Sequence, residues 1–307
     1  MKHILLLALL NVFVYSYSRS DYGTGDTGTT GAVFLKLAPG ARPAAMGEAY
    51  TPLADDIYSI YFNPAGLNYI AENEISFMHS FWFQKINYSY LAYARPLPFL
   101  KGKGGASITY VNAGSIERIT SAGESEGYFS PYDLALSFSY ARRIWGIDSG
   151  LSFKYIYQNI YDDSASAFAC DLGLRRRIPE KNLEFGASIS NLGSSIKINE
   201  HSHSLPILFR FGCGYNVSDN LTAVVQATIP ADNKAIIHAG AEYIWKKGSH
   251  FPVSLRCGYK TNSALDSLSA FSFGFGLKRD NLSFDYATNP YGKLGLSHRI
   301  SLSFKGF

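Results

Sequence analysis

The chain has 307 residues, of which 15% are aromatic and 17% charged, with 22 Tyr, 21 Phe and a formal net charge of +4. Soluble domains carry about 25% charged residues, so this composition suits a protein whose outside faces something other than water. Lys and Arg are scattered apart from Arg175, Arg176 and Arg177; this argues against a nucleic-acid face, and the triplet reads as a basic strand end.

The chain opens with a charged start and a short apolar run, Met1 to Val14, followed by small residues at Ser16 and Ser18. The run is shorter than the about 20 residues that a spanning helix needs. It is expected to be a secretory signal peptide over residues 1–18, leaving no transmembrane helix in the mature chain. Residues 19–39 are rich in Gly and Thr and read as a flexible lead-in, with Val33–Leu37 as a short strand or docking segment.

The stretch Gly40–Tyr50 and its continuation to Leu67 hold small residues and turn formers that match no strand pattern. Within it, Pro64 biases Asn63 away from helix and suits the first helical position. Asn63 is therefore expected to cap a short turn through Ala65, with Gly66 ending it.

From residue 74 the period changes to two. Leu151, Phe153, Tyr155 and Tyr157 alternate with Ser152, Lys154, Ile156 and Gln158, and the same split recurs along the rest of the chain. Strands are expected at 74–83, 87–96, 104–112, 132–144, 147–158, 166–177, 182–192, 206–217, 220–230, 234–246, 251–261, 269–279, 281–288 and 295–305. Most approach the 9–11 residues of a tilted transmembrane strand. Links alternate short and long from the third strand onward, with longer ones at 112–131, 159–165 and 193–205, as in an up-and-down barrel. Tyr157, Tyr215, Tyr243, Tyr259 and Tyr286 lie near strand ends, as aromatic girdles do. A soluble sandwich would have strands of about 5–6 residues. The expected fold is an all-β transmembrane antiparallel barrel of about 14 strands. Phe307 is an aromatic terminus suited to the barrel-assembly machinery, although it falls out of phase with Ile300, Leu302 and Phe304.

The inward face is predicted to carry Gly186, Gly212, Gly214, Gly240, Gly258, Gly274 and Gly276. Glycines allow another backbone to approach closely, so the N-terminal chain is expected to fill the lumen as a hatch; help with sheet curvature is the other reading. Residues 19–72 then form the lead-in and hatch, and residues 73–307 the barrel. Lys154, Glu184, Arg210, Glu242, Arg256 and Asp285 face the lumen in the same phase. They are expected to pair with one another or with Arg42, Glu48, Asp55 and Asp56.

Gly31–Leu37, Ala41–Ala49, Ala54–Asp56 and Tyr61–Leu67 together resemble, in order and spacing, the N-terminal signature of the PorV/PorQ family of outer-membrane proteins. That family sits within the FadL-like group of long-chain fatty acid transporters. The resemblance implies a fourteen-stranded barrel with an N-terminal hatch in the outer membrane of a diderm bacterium. By the match, Arg42, Met46 and Gly47 correspond to the PorV-type element, and Asn63, Pro64, Ala65 and Gly66 to the shared hatch motif. It implies passive transport of hydrophobic small molecules. The alternatives are a PorV-like accessory of type IX secretion that binds secreted cargo proteins at the cell surface, or a structural outer-membrane protein.

Nothing in the sequence carries enzyme chemistry: nucleophile elbows, zinc-protease motifs, phosphate loops and dinucleotide fingerprints are all missing. No catalytic residues, metal site or cofactor are expected. Cys170, Cys213 and Cys257 read as apolar strand residues, His201 and His203 as loop residues, His79 and His238 as strand residues, and Asp162–Asp163 as a turn. Expected partners are outer-membrane lipid, the assembly machinery and a hydrophobic ligand or secreted cargo, with no nucleic acid.

Overall fold

The computed structural model describes residues 28–307 apart from 83–84, 122, 199, 247–250 and 262–266. The expected signal peptide, residues 1–18, lies outside the described residues, as do residues 19–27 and part of the first link at 84–86.

Fourteen strands close into an antiparallel barrel, the last pairing with the first through Glu74↔Lys305 to Phe81↔His298. The wall begins with β1 (Glu74–Phe81), β2 (Asn87–Leu97) and β3 (Gly102–Asn112). After a hairpin of β4 (Ile116–Ile119) and β5 (Ser125–Phe129), it resumes with β6 (Tyr132–Ile144), β7 (Ile147–Ile160), β8 (Asp163–Ile178) and β9 (Leu183–Gly193). A second hairpin, β10 (Ile196–Ile198) with β11 (His201–His203), precedes β12 (Leu208–Ser218), β13 (Leu221–Pro230) and β14 (Ile236–Trp245). The wall closes with β15 (Val253–Lys260), β16 (Phe271–Arg279), β17 (Leu282–Pro290) and β18 (Leu296–Lys305). Closure leaves no edge strand, the condition for a sheet to cross lipid.

The alternation decides which way each residue points. On β7, Leu151 and Phe153 are exposed, whereas Ser152, Lys154 and Ile156 are buried. Phe211, Leu255, Phe273 and Leu302 join them on the outside. An apolar outer belt, opposite a strand face where small and polar residues predominate, is the pattern of a membrane barrel rather than of a sandwich, whose apolar face would be its core. Both hairpins sit on links at the same end of the barrel. The opposite end carries the start of β1, the end of β18 and tight turns such as Trp145–Gly146. By the rule of longer external loops the hairpin end faces outward.

Several expectations change. The link at 159–165 is not a loop: the β7–β8 ladder runs to Ile160↔Asp163 and turns through Tyr161 and Asp162. Its polar tip continues past the apolar belt, which is why the apolar pattern alone ended the strand early. Val33–Lys36 is a 3-10 turn, because Phe34 and Leu35 are both buried and a strand would send one of them outward. The turn at Asn63 does not end at Gly66 but runs from Pro64 to Tyr69. Phe307 regains the outer face because Gly306 adopts φ +70°, stacking its ring on Phe304 at 5.5 Å.

Most of residues 30–70 are buried against the inner face of the strands, with Val33 exposed. The segment has two short helices, α1 (Ala41–Ala45) and α2 (Ser59–Phe62), and its apolar side chains form the buried core together with Met78, Tyr88, Tyr90 and Ile156 from the strands. It enters near the outward end, where Gly31 donates to Ser204 O at 3.0 Å. It leaves at the other end, into β1 at Glu74.

Candidate functional site

The segment is tied to the wall around its circumference. Ala41 donates its amide to Ser301 on β18 at 2.9 Å, and Ser272 on β16 donates to Ala45 O at 3.1 Å. His238 on β14 meets Gly47 O at 2.7 Å. Gln226 on β13 accepts from the amides of Tyr50 and Thr51 at 3.0 and 2.8 Å. Arg175 on β8 donates to Pro52 O and Ala54 O at 2.8 and 2.7 Å, and Ser188 on β9 donates to Phe62 O at 2.8 Å. The segment has little regular structure, so these side chains satisfy backbone groups that no ladder pairs.

Glycine makes the close approach possible. A β-carbon on Gly258 would overlap Gly47 N, one on Gly240 would stand 2.6 Å from Met46 O, and one on Gly186 2.5 Å from Thr51 O. Gly214 admits the Leu53 side chain, and a β-carbon on Gly274 would meet both Tyr286 O of the wall at 2.3 Å and the Ala45 side chain at 2.6 Å. Gly212 and Gly276 behave differently: all their near neighbours belong to the wall itself. Gly150 and Gly173, which the sequence reading did not single out, face Pro64, Ala65 and Asn63.

Asn63 caps the turn by accepting from Ala65 N at 3.2 Å, while its amide donates to Thr51 O and Leu174 O at 3.1 and 3.0 Å. Pro64, Ala65 and Gly66 are buried beside it, and a β-carbon on Gly66 would overlap Ala54 O. Met46 is fully buried, and Gly47 adopts φ +64°, where a β-carbon would stand 2.7 Å from Tyr259 N.

Arg42 is the charged hub. It donates to Glu242 at 2.9 and 2.8 Å, to Asp55 at 2.7 Å and to Asp56 at 3.1 Å. Burial disfavours its charge, but Asp55 and Glu242 outweigh burial and hold it protonated. Glu242 also accepts from Arg256 at 2.6 Å, and Arg256 donates to Asp285 at 2.7 Å. Three of the six charges read as lumenal thus form one network with Arg42. Lys154 pairs instead with Asp171 at 2.7 Å and donates to Asn191 at 2.8 Å. Glu184 pairs with Arg175 and, at 3.2 Å, with Arg177. Arg210 donates to Ser190 at 2.9 Å and lies over the Tyr61 ring at 5.0 Å. Glu48 meets Lys260 at 3.1 Å. Tyr61 is pushed up to about 12 by burial, and its neutral phenol donates to Leu35 O.

Arg175 corrects the reading of its triplet as a basic strand end: it is fully buried and holds the segment. The phase it shares with Gly173 and Asp171 is the signal that places it inside. Gln226 and Arg299, the latter donating to Ala38 O at 2.7 Å, went unremarked in sequence. His201 and His203 are exposed on β11, a short strand rather than an open loop. His79 meets Ser89 at 2.9 Å.

Among the described residues the wall ladders show two register shifts, at Cys170/Leu172 between β8 and β9 and at Asn216/Ser218 on β12. At the first, Asn191 takes φ +65° and turns inward, accepting Lys154 and bonding Asp171 through its amide at 2.8 Å. The β9–β12 ladder ends there, at Leu208↔Ser190, while β9 continues to Gly193.

A family model described as "Uncharacterised protein family (UPF0164)" matches residues 24–280. The chain belongs to the UPF0164 family. A UPF0164 protein of Treponema pallidum (strain Nichols) is 25% identical over 185 residues, which cover 53% of this chain and 43% of that protein; the chain thus spans less than half the length of this curated relative. Among solved structures, the Ralstonia pickettii toluene transporter TbuX is similar with a TM-score of 0.62 at 11% identity, covering 88% of this chain and 99% of that one. The P. putida toluene transporter TodX follows with 0.58, 11% identity and the same coverages. A Pseudomonas aeruginosa FadL homologue gives 0.50 at 10% identity, over 83% of this UPF0164 chain and 95% of its own. At these identities the likeness establishes the barrel fold.

Proposed function

We propose that this UPF0164 chain is an outer-membrane barrel for passive passage of hydrophobic small molecules, with the segment up to residue 72 acting as a lumenal hatch. The observation that carries the reading is the segment's packing. It is bonded to β8, β9, β13, β14, β16 and β18 and leaves cavities of about 70 and 10 Å³ beside it. Small-molecule pockets measure about 300–1,000 Å³, so passage requires the segment to shift.

The apolar outer belt supports a place in the outer membrane of a diderm bacterium, surrounded by lipid. The toluene transporters among the fold relatives support small apolar solutes as cargo, on fold analogy. The inward turn at Asn191, where β9 leaves β12, supports a sideways exit into lipid. The motif residues Arg42, Met46, Gly47, Asn63, Pro64, Ala65 and Gly66 then hold the hatch, and the lumenal charges brace it.

The test is uptake of labelled toluene by cells with a lipopolysaccharide outer membrane, with and without the chain. Faster uptake in cells carrying the intact chain supports the proposal. Equal uptake refutes it, and copurification of secreted proteins would favour the PorV-like cargo-holding role instead.

A further inference from the structure

We infer that the lumen contains a binding site for a small monovalent anion, of chloride size, between Arg210 and His238. The site is the cavity of about 70 Å³ at the seam between the N-terminal segment and β12–β14, lined by Lys36, Glu48, Tyr61, Arg210, Gln226 and His238 among others. It is independent of what the barrel carries.

The charges around this cavity do not balance. Lys36 pairs with Asp232 at 2.5 Å, and Glu48 with Lys260 at 3.1 Å. Arg210 is only 5% exposed, yet its hydrogen bond goes to the neutral hydroxyl of Ser190, and its other neighbours are the rings of Tyr61 and Phe62. Among the described residues it has no carboxylate partner. Burying a guanidinium without a counter-charge is strongly unfavourable. Water supplies hydrogen bonds to such a group but no charge; an anion supplies both.

His238 provides the second, independent observation. It is 2% exposed, and its Nδ1 lies 2.7 Å from Gly47 O, so Nδ1 carries the hydrogen. Its Nε2 is buried with no partner. With the ring protonated, Nε2–H becomes a second donor into the cavity that Arg210 lines. The charged groups facing the ring are Glu48 from the segment, Lys260 from β15 and Arg210 from β12, with Gln226 its register partner on β13. Glu48 and Lys260 neutralise each other. The anion therefore stabilises the proton on Nε2, and its uptake carries a proton with it.

The position gives the site a consequence. Tyr61 and Phe62 against Arg210, and Gly47 against His238, all belong to the N-terminal segment. An anion here locks the segment to the wall.

The test melts the purified full chain in detergent micelles, in sodium bromide and in sodium gluconate of equal ionic strength, at pH about 6 and about 8, on either side of the ordinary histidine range. Gluconate is too large for the cavity. Ligand linkage predicts that Tm rises with the logarithm of bromide concentration relative to gluconate, and more so at the lower pH. R210Q is expected to lose the bromide response, and H238Q to lose the difference between the two pH values. Equal Tm in both salts for the wild-type chain overturns the proposal, as does a full response in R210Q. Should R210Q fail to fold, wild-type crystals soaked in bromide decide. An anomalous peak between Arg210 and His238 supports the site, and no peak there overturns it.

Discussion

Arg42, on the segment inside the barrel, and Glu242, on the wall strand β14, share two hydrogen bonds of 2.9 and 2.8 Å although 200 residues separate them. The wall supplies one fixed carboxylate, and the segment supplies the guanidinium together with Asp55 and Asp56. The pair thus joins the two parts at a point where Glu242 is buried and Arg42 largely so.

Removing one partner of a buried pair costs about 3–5 kcal/mol, because the other is left uncompensated. Arg42→Met is expected to destabilise the chain on that order and to make the segment sensitive to added protease. Urea unfolding in micelles, read beside limited proteolysis, measures both. Arg42→Met with Glu242→Gln should recover part of the loss, since the orphaned carboxylate is gone.

Gly258 gives a steric prediction. A β-carbon there would overlap Gly47 N, and both partners are backbone, so neither rotates away. Gly258→Ala is expected to displace the segment near Gly47 while leaving the β14–β15 and β15–β16 ladders intact. Amide hydrogen exchange would then show faster exchange over residues 41–54 and unchanged exchange in the wall.

The wall was legible because most strands repeat one rule, apolar outward and small or polar inward, although Met78, Tyr88, Tyr90 and Ile156 break it by packing against the segment. The two outer hairpins were not, since β4 (Ile116–Ile119) is exposed at every position and β10 and β11 have three residues each, too short for a period to register. The lumenal charges could be assigned to a face by phase, but not to partners. Arg175 and Pro52 meet across 123 residues, and a period carries no information about what lies opposite. The same limit hid Gln226 and Arg299, which bond segment backbone that has no pattern of its own. The glycine phase did mark where segment backbone comes close at Gly186, Gly240 and Gly258, whereas Gly214 and Gly274 meet segment side chains and Gly212 and Gly276 relieve crowding within the wall.

Acid is expected to loosen the outer anchor of the segment. Burial pushes the Asp232 carboxyl up, but hydrogen bonds from Lys36 and Thr30 outweigh it and hold the group below the ordinary aspartate range. A carboxyl with a lowered folded-state value stabilises the fold above its unfolded value and loses that contribution as pH falls through the folded one. The loss therefore sets in below about pH 4. Exchange protection of residues 30–37 should fall in that range, and Asp232→Asn should start from lower protection and show a much smaller acid effect.

Asn63→Ala removes the cap on Ala65 N and two donors that hold Thr51 O and Leu174 O. A lost N-cap costs about 1 kcal/mol, and the buried acceptor Thr51 O, left without this donor, adds roughly 1–3 kcal/mol. The expected result is a midpoint shift in urea larger than a cap alone explains. Asn63→Asp, which keeps the cap acceptor but turns a buried carboxylate oxygen toward Thr51 O and Leu174 O, should be no more stable than Asn63→Ala.

Single-channel conductance in planar bilayers tests the central claim most directly, comparing the intact chain with one lacking residues 19–66. The segment is bonded to the inner face of six wall strands, so on the proposed hatch reading the intact barrel is predicted to pass little or no ion current and the shortened one to open a steady pore. Equal conductance in the two would contradict the account.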